Sequence, residues 1–155
     1  MTYTLLIDGP SGAGKTSLAA QIGEALGIQV VHLDDFYPGW GGLAEGARMV
    51  AEDVLHPECP GFWRWDWERD RPSEWVPLDP AADLVVEGVG AVTEASIRAA
   101  RRRGEVDTVR VTADAGTRKA RALNRDPGYA SWWEMWAAQE ALLPALPVDV
   151  EVRRV

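Results

Sequence analysis

The stretch GPSGAGKTS at residues 9–17 contains residue types that together could hold phosphate. It matches the pattern G-x-x-x-x-G-K-[ST] at every fixed position and directly follows the apolar run YTLLID. Glycines let successive backbone N–H groups point at phosphate oxygens, and a following helix adds the positive end of its dipole. The pattern therefore predicts a nucleotide-phosphate loop with Thr16 as a Mg²⁺ ligand, formed by Gly9, Ser11, Gly12, Ala13, Gly14, Lys15, Thr16 and Ser17.

Acidic side chains follow two further apolar runs. Asp34 and Asp35 come directly after IQVVHL, and Glu87 ends LVVE. Because the carboxyl ends of parallel strands meet at one edge of a sheet, these carboxylates should lie beside the phosphate loop. We interpret Glu87 as a Mg²⁺ ligand, since a carboxylate in this apolar setting is costly without a partner. Either aspartate could reach the metal or serve as the base for an acceptor hydroxyl.

Three arginines recur at positions i, i+3 and i+7, which places Arg118, Arg121 and Arg125 on one face of a helix. Such spacing is ordinarily a solvated charged face. Beside a phosphate loop, however, guanidinium groups can bind the transferring phosphate. We therefore predict that Arg121 and Arg125 contact the nucleotide and, with Lys15 and Asp34, form the catalytic set.

Three motifs give this sequence a family resemblance. The segments DDFY at 34–37, VVEG at 85–88 and DAGTRKARALNRD at 114–126 resemble the D-x-F-Y, strand-end E-G and arginine lid-helix motifs of the uridine kinase group of small P-loop nucleoside kinases, which is related to pantothenate kinases. Gly116 replaces the second aspartate of the lid motif. The resemblance implies ATP and Mg²⁺ as cofactors, Asp34 as the carboxylate that receives the hydroxyl proton, and Glu87 as a group that helps hold Mg²⁺.

The acceptor region is expected within residues 36–80, and the lid within 114–131. Trp65-Asp66-Trp67 is similar to the family's aromatic-Asp-aromatic step, and Arg69 or Arg71 lies near its binding arginine. The acceptor residues predicted on this basis are Asp35, Tyr37, Trp65, Asp66 and Arg69.

Eight tryptophans are many for 155 residues. In the segment CPGFWRWDWERDRPSEWVPLDP, aromatic and charged side chains alternate without a helical period, and we expect Phe62, Trp63, Trp65 and Trp67 to line an acceptor pocket. Tryptophans 132, 133 and 136 share helical spacing in part, which favours packing instead.

These features together predict a phosphotransferase that moves the γ-phosphate of ATP to a hydroxyl of a small, nucleoside-like molecule. Two alternatives stay open at this stage. One is a phosphotransferase that modifies an antibiotic or another secondary metabolite, and the other is a nucleotide-binding regulatory protein without a small acceptor. The phosphate loop alone does not choose among them, because many activities begin with it.

Composition excludes several other classes. A net charge of -8 argues against a nucleic-acid polymer as partner, because phosphate backbones require dense cationic faces. No apolar run approaches the roughly 20 residues needed to cross a bilayer, so we expect no membrane contact. The single cysteine, Cys59, and the lack of a charged-then-apolar leader lead us to expect a cytoplasmic protein. As a separate expectation, it is a monomer or a homodimer.

The elements that must position these residues alternate along the chain. We predict one P-loop kinase-like domain over 1–155, with the three-layer α/β fold of P-loop NTPases of the nucleoside and nucleotide kinase type, a parallel sheet flanked by helices. Segment 59–80 is expected to be an ordered loop. The predicted strands are 4–7, 28–33, 84–87, 106–111 and 148–152, and the predicted helices are 15–26, 43–54, 93–103, 114–125 and 131–143, the last with a capping box at Ser131.

Overall fold

A computed structural model describes residues 1–154, so that residue 155 of the predicted domain lies outside the described residues. The strands are β1 (Thr2–Asp8), β2 (Gln29–His32), β3 (Gly61–Asp66), β4 (Arg71–Pro77), β5 (Leu84–Glu87), β6 (Gly104–Ala113) and β7 (Val150–Arg154). The α-helices are α1 (Lys15–Leu26), α2 (Leu43–Met49), α3 (Glu94–Arg103), α4 (Ala115–Arg125) and α5 (Trp133–Leu142). Two short 3₁₀ helices occupy Leu33–Asp35 and Pro127–Ser131.

Five strands form one parallel sheet in the order β2-β5-β1-β6-β7. Strand β1 is therefore central and pairs with β5 on one side and β6 on the other. The phosphate loop leaves its carboxyl end, and β5 delivers Glu87 to the same edge. This arrangement confirms the prediction of an α/β fold with a parallel sheet flanked by helices.

The pleat of β1 sends alternate side chains to the two faces of the sheet. Leu5 and Ile7 pack with Ala19 of α1 in one apolar cluster. Leu6 belongs to a second cluster on the opposite face, which includes residues of α2, α3 and α5. Burying both faces explains why β1 and β5 are continuous apolar runs rather than alternating ones.

The predicted loop over 59–80 is wrong, because most of this segment is an antiparallel hairpin of β3 and β4. Trp63 lies opposite Trp75, and their ring centroids are 5.7 Å apart in an edge-to-face arrangement. Prolines at 72 and 77 are unfavourable for a central strand. Both strands of a two-stranded sheet are edge strands, however, and proline is tolerated there.

The predicted start of the last helix is also wrong. Helix α5 begins at Trp133, and its N-cap Trp132 makes no side-chain capping bond. Asp126 instead accepts a hydrogen bond from the Gly128 amide and caps the 3₁₀ helix, which has a proline at its start. Ser131 ends that 3₁₀ helix and is therefore not available to cap α5.

The helix predicted over 43–54 is α-helical only in its first part. Helix α2 ends at Met49 and continues as a π-helical turn, Val50–Val54. None of the helices within residues 1–154 has both the length and the apolarity needed to cross a membrane.

Candidate functional site

The phosphate loop connects β1 to α1, as its sequence context predicts. Gly12 lies in the left-handed region, with φ of 79°. A Cβ at this position would lie 2.2 Å from the backbone carbonyl oxygen of Arg118, which belongs to α4. Only glycine therefore lets α4 cross directly over the loop.

Lys15 is almost fully buried in the loop, and its Nζ donates a hydrogen bond to the carbonyl oxygen of Pro10 at 3.0 Å. Burial lowers the pKa of this ammonium group, while the negative charges of Glu87 and Asp34 oppose that shift. Lys15 is thus held among carboxylates at the carboxyl edge of the sheet.

Glu87 lies between a hydroxyl and an imidazole. The Thr16 hydroxyl donates to Glu87 Oε2 at 2.7 Å, and His32 Nδ1 lies 3.1 Å from the same oxygen. Burial alone would raise the pKa of Glu87, but the hydrogen bonds from His32 and Thr16 and the charge of Lys15 outweigh it, so the pKa lies below its usual value. The carboxylate therefore stays ionised.

The donor set at this point fits Mg²⁺ bound together with phosphates. Thr16 and Glu87 offer hard oxygen ligands side by side. Among residues 1–154, no group of three or more His, Cys, Asp or Glu side chains is arranged to hold a metal by itself. Mg²⁺ is commonly bound by one or two protein ligands plus substrate phosphates and water, and the site matches that pattern.

Asp34 lies in the 3₁₀ helix that follows β2. Solvent reaches its side chain through the adjoining cavity, yet desolvation by the surrounding protein is the largest effect on its pKa and raises it. The charge of Glu87 raises the pKa further, while Lys15 and Arg125 oppose the shift. A raised pKa makes a carboxylate a better proton acceptor.

Three elements that follow β6 hold Ser11 of the phosphate loop. Its backbone N–H donates to Glu140 Oε2 at 2.7 Å, and its Oγ accepts from the Tyr129 hydroxyl at 2.9 Å. Its carbonyl oxygen accepts from Arg118 at 3.2 Å. All polar groups of Ser11 are thus engaged by α4, α5 and the 3₁₀ helix between them, which ties the phosphate loop to these three elements.

Glu140 is partly buried where it accepts from the Ser11 amide. Burial raises the pKa of its carboxyl group, and the hydrogen bond from Ser11 and the charges of Lys15 and Arg118 oppose that shift. Glu140 also lines a second cavity of about 530 Å³, which Gly9 and Pro10 line as well.

A cavity of about 720 Å³ joins the phosphate loop to the lid. Eleven of the predicted site residues line it: Ser11, Gly12, Gly14, Lys15, Thr16, Ser17, Asp34, Tyr37, Glu87, Arg121 and Arg125. Six aromatic side chains, here called the aromatic wall, line it as well: Tyr37, Trp40, Trp67, Tyr129, Trp132 and Trp136.

The remaining predicted residues do not line this cavity. Gly9 and Ala13 are buried parts of the loop. Asp35 approaches Arg64 at 3.7 Å. Asp66 accepts hydrogen bonds from the amides of Glu68 and Arg69 in its own hairpin turn, and Arg69 reaches back to Asp66 at 3.4 Å.

Of the four aromatics expected in an acceptor pocket, the structure brings only Trp67 into the cavity. Phe62 lies in the apolar core, Trp63 is on the outer face of the hairpin, and Trp65 is half-buried away from the cavity lining. The packing predicted for Trp133 and Trp136 is confirmed, because both are buried in the core, and Trp136 also lines the cavity. Trp132 lines the cavity and is 41% exposed, so packing was the wrong expectation for it.

Sequence reasoning missed several site residues. Trp40, Tyr129 and Glu140 carry no motif, and their sequence positions give no signal that they meet. The i, i+4 spacing of Trp132 and Trp136 was a usable signal, because it places both rings on one helical face.

No protein-family model matches this sequence, and no curated protein matches it. Solved structures do match. A "possible uridine kinase" from Bacillus stearothermophilus is 22% identical with a TM-score of 0.55, covering 97% of this chain and 88% of the other. A sugar kinase from Janibacter sp. HTCC2649 is 18% identical with a TM-score of 0.59, covering 99% and 85%. A gluconokinase from Sinorhizobium meliloti 1021 is 16% identical with a TM-score of 0.50, covering 98% and 81%. The chain has the fold of P-loop small-molecule kinases.

Proposed function

We propose that this protein is an ATP- and Mg²⁺-dependent phosphotransferase that moves the γ-phosphate of ATP to a hydroxyl of a small molecule. One observation carries the proposal: a single cavity is lined by the loop lysine, two carboxylates of the sheet edge and the lid arginines. Phosphoryl transfer requires these groups at one place, because its catalysis consists almost entirely of positioning and charge stabilisation.

Each lining group has a role in this reaction. The loop amides and Lys15 bind the β- and γ-phosphates, and Arg121 and Arg125 neutralise charge on the transferring group. The acceptor oxygen attacks the γ-phosphorus while the bond to the β–γ bridging oxygen breaks and ADP leaves. Asp34 takes the proton of the acceptor hydroxyl, for which its raised pKa suits it.

Thr16 and Glu87 would hold Mg²⁺, with Asp34 as a further oxygen donor within the same cavity. The chemistry supplied at these ligands would be positive charge that offsets the charge of the nucleotide phosphates. His32 keeps the Glu87 carboxylate ionised and oriented through its contact at 3.1 Å. A partner that orients a metal ligand in this way usually matters nearly as much as the ligand itself.

The test compares two neighbouring aspartates in a coupled assay of ADP release with ATP, Mg²⁺ and a panel of alcohols. Asp34→Asn should lower turnover by about 10²- to 10⁴-fold, the usual contribution of a general base, with little change in ATP affinity. Asp35→Asn is the matched control, because Asp35 points to Arg64 and does not line the cavity. Unchanged turnover in Asp34→Asn would remove Asp34 from the mechanism. ATP binding without transfer to any alcohol would favour the regulatory alternative.

A further inference from the structure

The aromatic wall is a preorganised surface centred on Trp40. The centroid of the Trp40 ring lies 5.1 Å from that of Trp67 and 4.8 Å from that of Tyr129. The ring of Trp132 is parallel to it within 5° at a centroid distance of 5.8 Å. These contacts fix the rings before any ligand arrives, which reduces the entropy lost on binding.

Two members of the wall remain substantially exposed beside the cavity. Trp67 is 39% exposed and Trp132 is 41% exposed. They reach this position from distant parts of the chain, the turn of the hairpin and the start of α5, and both contact Trp40. A patch of exposed aromatic rings that borders a cavity is typical of a binding surface.

The wall offers almost no hydrogen-bond acceptors. The hydroxyl of Tyr37 donates to the Val89 carbonyl oxygen at 2.7 Å, and that of Tyr129 donates to Ser11. Trp67 Nε1 donates to the carbonyl oxygen of Asp34 at 2.9 Å. The other three members carry only an indole N–H, which donates and cannot accept. The hydrogens of a molecule rich in hydroxyls would therefore find few acceptors on this surface, because the carboxylates that line the cavity, Asp34, Glu87 and Asp126, lie at the sheet edge and at the end of α4.

Positive charge is also confined to the nucleotide side. Within residues 1–154, the lysines and arginines that line the cavity are Lys15, Arg121 and Arg125, all beside the phosphate loop or on α4. Arg69, the cation predicted for the acceptor side, is paired with Asp66 outside the cavity. An acceptor with its own carboxylate would therefore compete with the phosphates for these cations.

We propose that the acceptor is an uncharged alcohol with a flat aromatic body, which packs on the aromatic wall and presents its hydroxyl to Asp34. This inference rests on the proposed function and narrows its acceptor. The ring faces supply stacking, Asp34 supplies the acceptor for the reacting hydroxyl, and the wall requires no further polar groups of the ligand. A nucleoside satisfies the stacking requirement, but the hydrogens of its additional ribose hydroxyls and of its base N–H groups find few acceptors on the wall.

The first experiment measures ADP release from wild-type protein with ATP and Mg²⁺ against four acceptor classes at equal concentrations. The probes are aryl alcohols such as naphthalenemethanol, nucleosides such as uridine, hexoses such as glucose, and hydroxy acids such as gluconate. We expect kcat/KM for the aryl alcohols to exceed that of every other class. A higher kcat/KM for a nucleoside, a hexose or a hydroxy acid would overturn the inference and leave the proposed function intact. Transfer to none of the four classes would overturn both.

The second experiment removes one face of the wall. Trp132→Ala should raise the KM for the aryl alcohol by about tenfold, the order expected for one aromatic contact, without changing ATP affinity. Trp132→Phe retains a ring and should restore most of the loss, which separates stacking from folding. Trp63→Ala is the matched control, because Trp63 is 51% exposed on the hairpin but outside the cavity. An unchanged KM in Trp132→Ala, or an equal rise in Trp63→Ala, would contradict the inference.

Discussion

The close contact between Gly12 of the phosphate loop and α4 can be tested with the substitution Gly12→Ala, which adds one methyl group. In Gly12→Ala the new Cβ would lie 2.2 Å from the Arg118 carbonyl oxygen, whereas real Cβ atoms essentially never approach closer than 3.0 Å. Helix α4 or the loop must therefore shift by at least 0.8 Å. The added carbon points at α4, so the shift should displace the lid arginines more than it disturbs the phosphate cradle.

Gly27→Ala is the control for the backbone itself. Gly27 has φ of 66°, close to the 79° of Gly12, but a Cβ there meets nothing within 4 Å. Holding alanine in this left-handed region costs about 1–2 kcal/mol in either variant. Gly12→Ala should lose about 1–3 kcal/mol more, the usual cost of overpacking.

Two assays read the outcome. Urea unfolding should give a lower free energy of unfolding for Gly12→Ala than for Gly27→Ala. Turnover of Gly12→Ala should fall by up to about 10²-fold, since displacements near 1 Å can cost that much in positioning, while Gly27→Ala should keep its turnover. Equal stability and equal turnover in the two variants would refute the claim that α4 rests on the loop through Gly12.

Three further predictions concern charge. Glu87→Gln should raise the Mg²⁺ concentration for half-maximal turnover by about tenfold or more, as a Mg²⁺ titration of the coupled assay would show. Arg125→Ala should lower turnover by about 10²-fold, as removal of a charge-stabilising donor usually does, whereas the exposed neighbour Lys119→Ala on the same helix should not; similar turnover in both would contradict the lid assignment. Burial raises the pKa of the Glu140 carboxyl group in the folded protein above its value in the unfolded chain. As pH rises through the interval between these two pKa values, the free energy of unfolding of wild type should therefore fall relative to that of Glu140→Gln. Urea midpoints of the two proteins that stay parallel from about pH 4 to about pH 8 would contradict this.

The central strands were predictable from the sequence because the sheet is covered by apolar side chains on both faces. The run LLI of β1 is buried on both faces, so its composition alone indicated a central strand. The prediction for the hairpin segment failed because β3 and β4 form a sheet only with each other. Trp63 and Trp75 make their contact only across these two strands. Such pairing depends on register rather than on local composition.

The sequence by itself determined the phosphate loop, its flanking strand and helix, and the carboxylates at the ends of two strands. The phosphate loop is a local feature, because the fixed spacing of its residues sets which backbone amides turn inward. The carboxylates follow from strand direction, because the carboxyl ends of parallel strands lie at the same edge of the sheet. Only the tertiary structure brought together the aromatic wall and the contact between Glu140 and the phosphate loop. Trp40, Trp67 and Trp132 come from three separate segments, and Glu140 lies 129 positions from the Ser11 amide that it accepts from. Their meeting follows from the packing of helices and a hairpin over the sheet edge, for which no local spacing exists in the sequence.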